Sequence, residues 1–112
     1  GRGGAAVGVR TAEEWHLEEL GYDLVEEWHG PTHEGRTLGG MEWEEHVSFE
    51  IWKSKSGKKY IVVKEIYQIW WDPDTFDENC ATHRTICWIT YSLRDAVSML
   101  KRIPGLRRVK LR

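Results

Sequence analysis

The sequence predicts an α+β domain, an antiparallel meander sheet of four or five strands packed by an N-terminal and a C-terminal helix. Three observations carry this. Alternating or wholly apolar runs recur between turn signals. Helix-capping motifs stand near both ends of the chain. A length of 112 residues, 40% hydrophobic and 30% charged, suits one core and one domain. Residues 11–112 are read as that domain. Residues 1–10, GRGGAAVGVR, are read as a flexible segment without the continuous apolar stretch of a signal peptide.

Thr11 and Glu14 form a capping box in which each side chain takes the other residue's amide. Ala12, Trp15 and Leu20 follow near helical spacing, and Gly21 stops this first helix. Residues 22–28 alternate as a half-buried strand, broken by His29-Gly30-Pro31-Thr32-His33. Residues 34–45 are Gly-rich and acidic, either a long loop or one holding a short strand over 36–41. Val47, Phe49 and Ile51 alternate against Ser48, Glu50 and Trp52. The turn at 54–57 then returns the chain through an apolar strand over 60–71, with a bulge or kink at Lys64-Glu65. A polar loop to His83 precedes a strand over 84–91. Ser92 and Asp95 cap the last helix, whose stripe is Leu93, Ala96, Val97, Leu100 and Ile103. The tail LRRVKLR is an added edge strand or a basic arm.

The net charge of −2 hides a segregation. Residues 11–50 hold twelve Asp or Glu and one Arg, residues 51–64 five Lys, residues 65–78 five acids, and the remainder eight basic residues and one Asp. Opposed acidic and basic surfaces follow. Cys80 and Cys87 require no disulfide framework, so a reducing, cytoplasmic setting is expected. Cys80, His83 and Cys87, like His29 and His33, are ligand types for zinc at spacings of no standard site, so neither metal nor cofactor is expected.

Seven Trp against two Phe is the compositional oddity. Trp43, Glu44, Glu45, Glu65, Trp70 and Trp71 combine aromatic faces with carboxylates, the chemistry that holds a cation in a partly dry site. The function this predicts is a non-catalytic binding or regulatory module whose acidic, Trp-containing face takes a basic partner protein or a small cationic ligand. Antagonist or immunity-type proteins use such a face against a basic cleft. Two alternatives come from other residues. Lys53, Lys55, Lys58 and Lys59, with Trp52 and Tyr60 at the hairpin base, suit phosphate contact and base stacking in a nucleic-acid binder. His46, beside Glu44 and Glu45, would be the general base of a small hydrolase. Homodimerisation is expected, because two short helices hardly cover strands that are apolar on both faces.

The predicted α-β-β-β-α order and the segment YDLVEEWHGPTH resemble the double-stranded RNA-binding domain. That resemblance implies minor-groove contact by a GPxH loop, here through His33. It covers about a dozen residues. The lysine-rich start of that family's last helix is replaced by Ser92-Leu93-Arg94-Asp95.

Overall fold

A computed structural model describes residues 16–111. Five strands, β1 (Asp23–Arg36), β2 (Glu42–Lys53), β3 (Tyr60–Trp71), β4 (Glu78–Thr90) and β5 (Arg107–Val109), form one antiparallel sheet in the order β4-β3-β2-β1-β5. A single helix, α1 (Leu93–Lys101), is present among the described residues. The meander and the C-terminal helix agree with the sequence reading, and the tail is an edge strand. No helix among the described residues is long and apolar enough to cross a membrane.

The expected N-terminal helix is corrected where it can be seen. Residues 16–21 are a turn, with Leu20 N–H donating to His16 O and Tyr22 N–H to Leu17 O. His16 at φ 47° and Gly21 at φ 87° leave the right-handed helical region. Thr11, Ala12, Glu14 and Trp15 lie outside the described residues.

Two further corrections concern strand length. β1 does not stop at His29. It absorbs Gly30 and Pro31 as a bulge between the pairs His29–Ser48 and Thr32–His46, and runs on to Arg36. Proline has no amide to donate, and a bulge at the sheet edge is where a strand tolerates that loss. Residues 34–45 are therefore mostly strand, with only 37–41 turning. β4 likewise begins at Glu78, inside the expected polar loop. Its bulge falls at Cys87, between Val62–Trp88 and Val63–Ile86, and β3 runs unbroken through Lys64-Glu65.

Alternation assigns every side chain to one of two faces. On the helix side, Ala96 and Leu100 of α1 press on Trp28, Phe49, Ile51 and Val62, with Leu93, Val97, Ile103 and Leu106 around them. Ser92 Oγ caps α1 by accepting from Asp95 N–H at 3.1 Å. On the opposite side the 16–21 turn drives Leu17 onto Trp52, Ile61 and Val63. All the buried residues lie at this near end, close to the 54–59 hairpin and α1. The far end, where residues 37–41 and 72–77 turn, has no layer over either face among the described residues, and the extents are 51 × 33 × 26 Å.

Candidate functional site

Folding converts the charge blocks of the chain into the two ends of the sheet. Antiparallel strands bring residues 34–45 and 72–78 together at the far end, which holds Glu34, Glu42, Glu44, Glu45, Asp72, Asp74, Asp77 and Glu78 against Arg36 alone of the basic residues among those described. Lys53, Lys55, Lys58 and Lys59 turn at the near end. The sheet separates the two charges along its strands.

The far-end tryptophans divide between the faces. Trp43 and Trp70 are register partners on the helix side, with Glu45 opposite Gln68 and accepting from its Nε2 at 2.8 Å. Trp71, Glu44 and Glu65 point to the other side. Of the six residues expected to form one site, Trp43, Glu44 and Trp71 border a common hollow, whereas Glu45, Glu65 and Trp70 do not join it. Trp43 lies flat over Gly35, where an added Cβ would stand 2.7 Å from Cζ2, so glycine is what admits the indole.

The convergent group is centred on Trp71. Trp71, Ile69 and Phe76 line a pocket of about 370 Å³ with Glu44 and Glu78 at its rim. A second hollow of about 410 Å³, lined by Glu34, Arg36, Glu42 and Trp43, shares Glu44 and Trp71 with it. Glu42 fixes the indole. Its Oε2 accepts from Trp71 Nε1 at 2.8 Å and its Oε1 from Arg36 at 2.8 Å. Hydrogen bonding from Arg36 holds the Glu42 carboxyl below its ordinary range, with help from Trp71 and against partial desolvation. Phe76 is 80% exposed and has φ 63°, a left-handed conformation unusual for an aromatic residue. Asp72 holds this loop, its Oδ1 accepting from Asp74 N–H at 2.8 Å and its carbonyl from Phe76 N–H at 2.7 Å.

Sequence reasoning missed Phe76, Glu78 and Glu42. The signal available for Phe76 was a single large apolar side chain inside the acidic turn DPDTFDE.

Glu65 belongs to a different cluster. With Glu50 it receives Arg84, whose Nη1 donates to Glu65 and Nη2 to Glu50, all three side chains largely screened from solvent. Burial alone would lower the Arg84 pKa, but the two carboxylates outweigh it and raise the value. These residues floor an open cleft of about 770 Å³ beneath the 16–21 turn. Trp52, expected as a stacking platform for nucleic acid, is instead 7% exposed, with its Nε1 donating to Glu50 at 3.0 Å. Lys53, Lys55 and Lys58 are exposed without it.

His46 has both ring nitrogens engaged, Nε2 with Glu44 Oε1 and Nδ1 with Thr32 Oγ1, each at 3.1 Å. His33 lies in β1 opposite Glu45, in a strand where the RNA-binding resemblance required a loop. Among the described residues no three of His, Cys, Asp and Glu are placed to share a metal ion.

No protein-family model, curated protein sequence or solved structure matches the chain.

Proposed function

We propose that this protein is a non-catalytic binding module whose far end receives a basic segment of a partner protein. One observation carries the reading: Trp71 and Phe76 form apolar walls between the Glu44 and Glu78 carboxylates, on a part of the sheet that none of the described residues covers. An arginine or lysine side chain inserted there gains the quadrupole attraction of the indole face and a carboxylate partner on each side. The surrounding acidic turns would steer a basic chain toward the site and disfavour polyanions. Phe76 supports the same reading, since an exposed aromatic ring in a strained backbone conformation contributes little to the fold.

Titration of tryptophan fluorescence with an oligo-arginine peptide tests this, with free arginine amide as the isolated-cation arm. The peptide should saturate the signal with an affinity that falls steeply with salt. Trp71→Ala and Phe76→Ala should each weaken it at least about tenfold, a typical cost of losing an aromatic anchor. Saturation by arginine amide at similar concentration would make a small cation the ligand. Unchanged peptide affinity in Trp71→Ala would overturn the site.

A further inference from the structure

The two edges of the sheet are built differently. β5 covers β1 at Glu27, Trp28 and His29, and beyond it the β1 edge carries the Gly30-Pro31 bulge and then His33, Glu34 and Arg36. Proline, a bulge and charge are the devices by which an exposed edge avoids pairing with another strand. β4 lacks most of them. It pairs with β3 along its length, its other side meets no strand among the described residues, and its sequence ENCATHRTICWIT has neither proline nor lysine. Residues 79–83 carry no Asp, Glu, Lys or Arg, and the one bulge lies far along the strand at Cys87.

The apolar surface is concentrated along the same edge. The large apolar side chains that stand exposed are Leu20, Leu38, Phe76, Ile89 and Tyr91, and the last three flank the two ends of β4. Ile89 is 51% and Tyr91 76% exposed, and both border a hollow of about 400 Å³ with Met99 of α1.

We infer that β4 is a homodimerisation edge, pairing antiparallel with the β4 strand of a second copy to make one continuous ten-stranded sheet. Antiparallel self-pairing is two-fold symmetric, so every contact is made twice. Charge permits such a register. A two-fold beside Ala81 sets Asn79 against the partner's His83, Cys80 against the partner's Thr82, and Glu78 against the partner's Arg84, whose guanidinium stays held by its own Glu50 and Glu65, with no like charges opposed. Moving the two-fold to Thr82 would instead set Glu78 against the partner's Ile86, pairing a carboxylate with an apolar side chain. The Ala81 register also sets the Phe76 loop of each copy level with the partner's Ile86. This pairing uses the backbone edge; Glu78 and Phe76 border both it and the far-end pocket, whereas Trp71 belongs to the pocket alone.

Sedimentation velocity on the full chain over a micromolar concentration range tests the inference. The wild type should shift from monomer to a species of twice 13.1 kDa. Thr82→Lys, a substitution at an exposed edge position, should weaken dimerisation at least about tenfold by the means natural edges use. Its circular dichroism and thermal midpoint should stay those of the wild type. Trp71→Ala should dimerise normally, which separates this edge from the basic-segment site. A wild type that stays monomeric, or a folded Thr82→Lys variant that dimerises as well as the wild type, would overturn the inference. Hydrogen exchange on the wild type supplies a variant-free readout: amides in residues 79–84 should gain protection as concentration rises. Protection independent of concentration would equally overturn it.

Discussion

Glu42 joins Trp71 to Arg36: one carboxylate oxygen accepts from the indole Nε1 and the other from the guanidinium, both at 2.8 Å. This relationship spans β1, β2 and β3 at the open end of the sheet, where no hydrophobic layer of the described residues holds side chains in place. It fixes the plane of Trp71 and occupies Glu42 and Arg36. Glu78, and Glu44 through the oxygen that does not meet His46, are the carboxylates facing the pocket. The far end is therefore acidic by composition and pre-positioned by one hydrogen-bonded link, a combination that lowers the entropy lost on binding.

Acid should release Trp71. The Glu42 carboxyl is held below its ordinary value of 4.5, so the link is intact above that value and is lost as pH falls through the depressed one. The indole Nε1–H resonance of Trp71, followed by NMR, should move in that acid window and report the protonation of Glu42. In Glu42→Gln the movement should vanish, because an amide does not titrate there. A Trp71 resonance that moves identically in both proteins would show that another group is responsible.

Gly35→Ala should displace Trp43. The added methyl would sit 2.7 Å from Cζ2 and 2.9 Å from Cε2, distances that force the indole off the strand. Overpacking of this kind costs about 1 kcal/mol or more. Urea unfolding should show the loss, accompanied by a red shift in tryptophan emission as Trp43 enters water. Trp43 borders the neighbouring hollow and not the Trp71–Phe76 pocket itself, so affinity for the oligo-arginine peptide should fall less than in Trp71→Ala.

Arg84→Met should destabilise the protein near neutral pH by on the order of 2 kcal/mol, less than a fully buried pair because the cluster keeps some solvent contact. Glu50 and Glu65 would face each other without their shared cation. Combining Arg84→Met with Glu50→Gln and Glu65→Gln should recover much of the loss in chemical denaturation. A triple variant no more stable than the single one would place the cost in packing.

The near end of the fold is legible in the sequence because its residues obey local rules. Val47, Phe49 and Ile51 alternate, Ser92 caps α1, and Ala96 and Leu100 fall on one helical stripe; each is buried or bonded as its pattern requires. The far end escapes because none of the described residues covers its strands on either face. Without burial there is no hydrophobic alternation to read, so residues 34–36, 42–45 and 78–83 resemble loop. Pro31 adds to this, since a proline normally ends a strand and here sits in a bulge. The candidate site is lost for a related reason. Trp70 and Trp71 are neighbours in sequence, and a strand sends neighbours to opposite faces. The charge blocks were visible throughout, but their meaning as two ends of one sheet depends on where the strands turn.

Phe76→Asn separates stability from binding at the far-end loop. At φ 63°, a phenylalanine Cβ crowds its own carbonyl, whereas asparagine adopts this conformation more readily and can bond locally to the backbone. Phe76 is 80% exposed, so removing its ring sacrifices little burial. The variant should gain up to about 1 kcal/mol in urea unfolding. Phe76→Ala keeps the steric conflict and should gain less. Both variants should lose the oligo-arginine peptide, because each removes the wall opposite Trp71. More stable protein with weaker binding is the pattern expected where strain is kept for function. Equal stability of the Asn and Ala variants would show that backbone strain at residue 76 is not what the ring costs the fold.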